Sequence, residues 1–325
     1  MPTPAEFEEK EYEIPLYVEL YNNAPLWSPG QVLEARLGVD AAVRTLSLSF
    51  WNRLGYPQPL GGFALQQLGS RFTRANRPLP NFQANLLIQV KRPTELKRRP
   101  AGITVLHLPG SSPYWRFETR PRQHTVLTEL ALRVGHRALV AYAAPAFADV
   151  STLYGCIDTN SLVDRSTFIR VDRLEKHHRW VYDGGGTCGT GCSTPERIED
   201  PSLRTQLEEL QSQAEEASEE GHPIQGLAGT IERVVYSIRG EDPRTRALLK
   251  TFRNIDDLGA SDGFWLDPSR AEVGQGPAKV QEDTLGIRRS PEARESARIL
   301  LTGVAKVDAF VRMFGLEWFV LEPKH

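Results

Sequence analysis

The chain has 325 residues, of which 40% are hydrophobic and 25% charged, and a formal net charge of −2 at pH 7. That length allows one elaborated domain or two, and so small a net charge excludes a global field for a polyanion, leaving any nucleic-acid contact to local patches. No apolar run reaches the roughly 18 residues of a membrane span, and the start Met-Pro-Thr-Pro-Ala-Glu-Phe-Glu-Glu lacks a basic-then-apolar signal. With only three cysteines, Cys156, Cys188 and Cys192, the expectation is a soluble, cytoplasmic protein that does not enter a membrane.

In chain order, residues 13–21 (Glu-Ile-Pro-Leu-Tyr-Val-Glu-Leu-Tyr) read as a strand or extended arm, with Pro15 favouring an edge. Ser28-Pro29-Gly30 then opens a short helix through about residue 36 that carries Glu34, and Gly38 closes it. Residues 39–48 have strand composition, with Asp40 at the very start. Residues 51–81 are rich in Gly, Pro and Asn and read as an irregular insertion. Next comes an apolar, β-prone run, Leu86, Leu87, Ile88 and Val90, bounded by Asn85 and Pro93: a short buried central strand. Gln89 and Lys91 leave the same face of it. A lysine closing such a strand needs an anion or water for its ammonium, so the pair reads either as a site or as the start of the loop Lys-Arg-Pro. Residues 103–108 and 114–119 read as strands, 122–134 as an amphipathic helix with Gln123 and His124 in its first turn, and 138–142 as a compact strand ending towards Pro145. This order describes a mixed α/β sheet.

Charge is distributed unevenly. Residues 41–100 hold ten Lys or Arg against the single acid Glu95, whereas residues 196–220 hold nine acids against Arg197 and Arg204. Arg71, Arg74, Lys97, Arg98 and Arg99 are the candidate contacts to a phosphate backbone. A solvated surface explains such runs as well.

Glu34 on a leading helix, Asp40 opening a strand, Gln89-Val90-Lys91 closing a central strand and Gln123 on the following helix together resemble the PD-(D/E)xK restriction-endonuclease-like superfamily, in its variant with Gln in the middle position. The resemblance covers about residues 12–150. The stretches 138–147, 177–182 and 192–196 also resemble bacterial proteins of no assigned activity. The superfamily resemblance implies a mixed-sheet restriction-endonuclease-like core and a nuclease that hydrolyses DNA with Mg²⁺ or Mn²⁺, in bacterial defence or DNA processing. Asp40 would anchor the metal, Glu34 and Gln89 would add ligands, Lys91 would act on the nucleophile, and Gln123 completes the catalytic set. Carboxylate oxygens are what Mg²⁺ prefers, and the metal would neutralise developing charge and lower the pKa of water. Gln89 stands where a carboxylate is commoner, so Gln89→Glu is expected to tighten metal binding. The alternative is a catalytically inactive nuclease-like module that binds a partner subunit.

Two other constellations compete. His177, His178, Cys188 and Cys192 are zinc-donor types at a non-standard spacing, and the Gly-rich run 184–191 lacks the Walker lysine of a phosphate loop. From residue 201 onward the pattern is helical: an acidic helix marked by Leu203, Leu207 and Leu210, helices around residues 227–238 and 247–255, an irregular stretch 260–289, and a long helix from Ser290-Pro291 to Phe314 stopped by Gly315. A strand over 316–321 closes the chain. The expected organisation is a nuclease-like domain over 1–200 and a mostly helical part over 201–325, whose apolar face serves the core, a homodimer or a protein partner.

Overall fold

A continuous apolar run explains the central strand of the larger sheeted unit. In the computed structural model, which describes residues 2–23, 26–27, 84–98, 100, 102–103, 113–217, 223–238, 243–260 and 291–321, strand β3 (Ala84–Val90) is buried along its whole length. The expected helix over 28–36, strand over 39–48, insertion over 51–81 and most of the strand over 103–108 lie outside the described residues. The protein is mixed α/β, with two sheets, and divides into two units. The first comprises residues 1–26, 83–218 and 311–325, and the second comprises 27–82 and 219–310.

In the first unit, β3 lies between β11 (Glu317–Leu321), antiparallel to it, and β6 (Ala138–Pro145), parallel to it. The strand order is β2 (Leu26–Trp27), β11, β3, β6, β7 (Ser166–Arg170). Parallel neighbours need a crossover; here it contains helix α2 (Pro121–Val134), whose Val126, Leu127, Leu130 and Val134 are buried at the helical spacing read from the sequence. The second sheet is antiparallel, in the order β1 (Thr3–Pro4), β4 (Thr94–Leu96), β5 (Tyr114–Glu118), β8 (Arg179–Tyr182), β9 (Cys188–Gly191), β10 (Glu196–Glu199). It meets the first where Trp180 Nε1 donates to Thr167 Oγ1 (3.2 Å), Tyr182 donates to the Pro145 carbonyl (2.8 Å) and the Phe117 ring lies 5.6 Å from that of Tyr142. Two glycines of the 184–191 run permit close approaches in the second sheet. A Cβ on Gly189 would come within 2.5 Å of the Trp180 ring, and one on Gly191 within 2.5 Å of His177.

One face of β3, formed by Leu86, Ile88 and Val90, joins a core with Tyr12, Leu16, Leu139, Ala143, Phe147, Phe168, Leu207 and Phe319. Each such side chain contributes about 1.5–3 kcal/mol by leaving water. Residues 13–21, expected as an extended strand, are instead part of helix α1 (Glu9–Asn23), with Pro15 inside it. Tertiary burial overrides the local breaker: Tyr12, Leu16, Glu19 and Leu20 are all buried at helical spacing. Glu11 also reaches back to accept the Glu8 N–H at 2.7 Å, as in a capping box. Helix α3 (Val150–Thr159) starts at Asp149, which accepts the Thr152 N–H, and α4 (Leu203–Glu216) at Ser202, which accepts the Thr205 N–H.

In the second unit the described elements are α5 (Pro223–Ser237), α6 (Pro243–Ala260) and the part of α7 (Pro291–Phe314) that precedes residue 311. Ile231, Val234, Phe252, Ile255 and Val307 are buried there. Lys306 ties the three helices together, donating to Glu232 (2.9 Å) and pairing with Asp256 (2.8 Å), 5.8 Å from the Phe252 ring.

Glu19 gives the first unit a testable anchor. Its buried carboxylate accepts the N–H groups of Leu162 (2.7 Å) and Val163 (2.9 Å), beside the Tyr12 hydroxyl, which donates to Ser166. Glu19→Ala strands two buried donors and is expected to cost about 3 kcal/mol, whereas Glu19→Gln keeps one acceptor and costs less. Equilibrium urea unfolding measures both; equal stability of Glu19→Ala and wild type would contradict the anchor.

Candidate functional site

The site is built where the parallel strands β3 and β6 end side by side. Lys91 extends the ladder one residue past β3, its N–H donating to the Ala143 carbonyl at 2.8 Å. This backbone pairing holds the side chain under cover: Lys91 is only 9% exposed. Its Nζ lies 5.4 Å from the centre of the Tyr142 ring, a cation–π contact, and it forms no ion pair with any described residue. Burial pushes the ammonium down to about 8; the Glu9 carboxylate partly opposes this and Arg120 adds to it.

On the same face, the side-chain amides of Gln89 and Gln123 both donate to one oxygen, the Phe314 carbonyl, at 2.7 and 2.5 Å. The reason lies in how α7 ends. Gly315 has φ of 61°, the Leu316 N–H returns to the Val311 carbonyl (2.8 Å) and the Gly315 N–H to that of Arg312 (3.3 Å). This is a Schellman turn, in which the last helical carbonyl has no intrahelical donor. Two glutamines supply it. Gln89 is 5% exposed, and its Oε1 has no hydrogen-bond partner among the described residues.

Beneath Lys91, Tyr142 is fixed by His124. His124 Nε2 lies 2.7 Å from the Leu174 carbonyl and must carry the proton, so Nδ1 accepts from the Tyr142 hydroxyl at 3.0 Å. Burial lowers the His124 pKa; the bond to Leu174 offsets this in part, and the charges of His178, Lys91 and His177 lower it further. Burial also raises the Tyr142 pKa. The pair is therefore neutral at physiological pH, and the ring beneath the ammonium is held in one orientation.

Of the residues singled out in the sequence, Gln89, Lys91 and Gln123 come together at this strand end. Lys97 and Arg98 are exposed just beyond β4. Glu34, Asp40, Arg71, Arg74 and Arg99 lie outside the described residues. Among the described residues, no three His, Cys, Asp or Glu side chains are grouped to hold a metal. His177 packs on Gly191 while the His178 ring meets His124 at 5.9 Å, so these two neighbours do not converge on Cys188 and Cys192 in a zinc site. The described residues also do not by themselves fit Mg²⁺ or Mn²⁺: on this face they offer the neutral Gln89 Oε1. Sequence reasoning missed Glu9, which accepts the Arg92 N–H at 3.1 Å and whose charge reaches Lys91. It also missed Tyr142. The extended-chain signals of residues 13–21 hide the helix start near Glu9. No family model, curated protein or solved structure matches the chain. Fold and site define a mixed α/β protein with a buried lysine, without an ion pair among the described residues, at the carboxyl end of a parallel strand.

Burying Lys91 has a stability consequence. Its folded pKa, about 8, lies below the ordinary 10.5, so the charged form opposes folding fully below pH 8, and the cost fades as pH rises from 8 to 10.5. At 1.36 kcal/mol per unit this amounts to about 3 kcal/mol. Lys91→Met is expected to stabilise the protein at pH 7 by up to that amount and to lose the advantage near pH 10.5. Urea unfolding across this pH range tests it; a variant less stable than wild type at pH 7 would contradict the burial argument.

Proposed function

We propose that the chain is a metal-dependent nuclease of the restriction-endonuclease-like type, which hydrolyses DNA phosphodiesters in bacterial defence or DNA processing. The observation that carries the reading is Lys91: a buried ammonium with no ion pair among the described residues, at the end of a central strand and two residues after Gln89. An isolated buried charge is costly, and a site that receives an anion gives it a use. Ligands of sheets with parallel strands gather beyond the strands' carboxyl ends, which is where Lys91 stands.

On this reading Lys91 places positive charge against a phosphoryl oxygen as negative charge develops there. Tyr142, locked by His124, keeps that ammonium in place and excludes water from its lower side. Asp40 and Glu34 would hold Mg²⁺ or Mn²⁺; when bound, the metal neutralises phosphate charge and lowers the pKa of water. Lys97 and Arg98, with Arg71, Arg74 and Arg99, would track the backbone, so DNA affinity should fall as salt rises.

A second reading, an inactive module that binds a protein partner, is favoured by one observation: the amides of Gln89 and Gln123 are both engaged by the Phe314 carbonyl. Plasmid cleavage with Mg²⁺ or Mn²⁺ separates the two. Wild type is expected to cleave, with Lys91→Met slower by about a hundredfold or more and Asp40→Ala inactive. No cleavage by wild type with either metal, or wild-type rates for Asp40→Ala, would overturn the nuclease. Gln89→Glu takes a donor away from the Phe314 carbonyl and faces it with a carboxylate. The expectation is therefore a loss of about 2–4 kcal/mol in unfolding experiments, in place of the simple gain in metal affinity that the sequence suggests.

A further inference from the structure

The start of α2 departs from the usual chemistry of helix starts. The N-cap position normally holds Ser, Thr, Asp or Asn, whose oxygen accepts an otherwise free amide. Here it holds Arg120, whose side chain makes no capping hydrogen bond. Pro121 has no N–H, and the next two amides, of Arg122 and Gln123, have no acceptor among the described residues. Free N–H groups and the helix dipole together attract an anion, and Arg120 and Arg122, both exposed, raise that attraction.

Lys91 is the independent observation. It is more than nine-tenths buried and lacks a side-chain hydrogen bond or ion pair among the described residues. Its ammonium lies over Tyr142, whose hydroxyl is bonded to His124 in the first turn of α2, and its charge is felt by both Arg120 and His124. Among the described residues the acid that acts on Lys91 is Glu9, from the first turn of α1, and its Oε1 already accepts the Arg92 N–H.

We propose that the first turn of α2 and Lys91 form a phosphate-binding subsite: the Arg122 and Gln123 amides and the Lys91 ammonium hold phosphoryl oxygens, while Arg120 and Arg122 add charge from the rim. The subsite deepens the nuclease reading, since it rests on Lys91 facing the substrate, and it gives the substrate's phosphate a defined place. A phosphodiester of a nucleic acid and a free phosphate or nucleotide share this chemistry.

The test uses the full-length chain in EDTA, so that binding is measured without cleavage. Wild type, Lys91→Met, Arg120→Gln, Arg122→Gln and Lys250→Gln, an exposed control in the second unit, are titrated with inorganic phosphate by calorimetry at matched ionic strength. The same proteins are titrated with a fluorescein-labelled DNA duplex by anisotropy. Lys91→Met is expected to weaken binding about tenfold and the two arginine variants severalfold, with Lys250→Gln unchanged. Losses in the DNA titration assign the subsite to a nucleic-acid phosphodiester; losses confined to inorganic phosphate assign it to a free phosphate or nucleotide. If wild type binds neither probe, or if the Lys91, Arg120 and Arg122 variants all bind both as wild type does, the subsite is overturned. A wild type that binds phosphate in this way but cleaves no DNA overturns the nuclease reading alone.

Discussion

A strand buried on both faces must satisfy every polar atom it carries, and β3 carries three polar side chains at or just beyond its ends. Asn85 is satisfied at both ends of its amide, donating to the Arg137 carbonyl (2.8 Å) and accepting from Trp318 Nε1 (2.9 Å). Among the described residues, Gln89 is half satisfied, with its nitrogen on Phe314 and its oxygen alone, and the Lys91 ammonium has only the face of an aromatic ring. Hydrogen bonding thus declines along the strand from its amino to its carboxyl end, and what the fold leaves undone accumulates beside the end of β6 and the start of α2. A core that fully partners Asn85 is capable of partnering the others; the site is the place where it does not.

The legible parts of the fold are those in which one physical signal acts alone. The apolar run from Leu86 to Val90, the helical spacing of Val126, Leu127, Leu130 and Val134, and the Pro291 and Gly315 that bound α7 each have a single reading. Residues 13–21 carried two conflicting signals. Ile14, Pro15, Tyr17 and Val18 favour extended chain locally, while Tyr12, Leu16 and Leu20 favour a helix with one buried side, and burial of that side prevailed. Ile14 and Val18, two of the residues that suggested a strand, are exposed on the helix.

At the site, the sequence made Gln89 and Lys91 visible through the period of two of a strand. It could not reveal their partners. The Phe314 carbonyl lies 225 residues from Gln89 in the chain, and it needs outside donors because of how α7 terminates, a property of backbone angles at Gly315 that no side-chain pattern announces. Tyr142 was likewise read as one more apolar residue of a compact strand. Its role under Lys91 follows from register, since Tyr142 is the parallel partner of Gln89, and register between distant strands is a tertiary fact.

The same clamp explains why an amide occupies a position where the resemblance leads one to expect a carboxylate. The Phe314 carbonyl needs a donor, and an ionised Asp or Glu has none. Protonating a carboxylic acid would supply one, but only by removing the charge for which a metal site selects it. Glutamine is the side chain of that length that donates from one end while leaving an oxygen free at the other, and Gln89 uses it that way: its nitrogen is committed to α7 and its oxygen remains unpartnered on the face it shares with Lys91. Structural and chemical demands on residue 89 are therefore divided between two atoms of one amide. Gln123, on α2, strengthens the structural half by donating to the same carbonyl. The end of α7, the central strand and the first turn of α2 are thereby joined at a single oxygen.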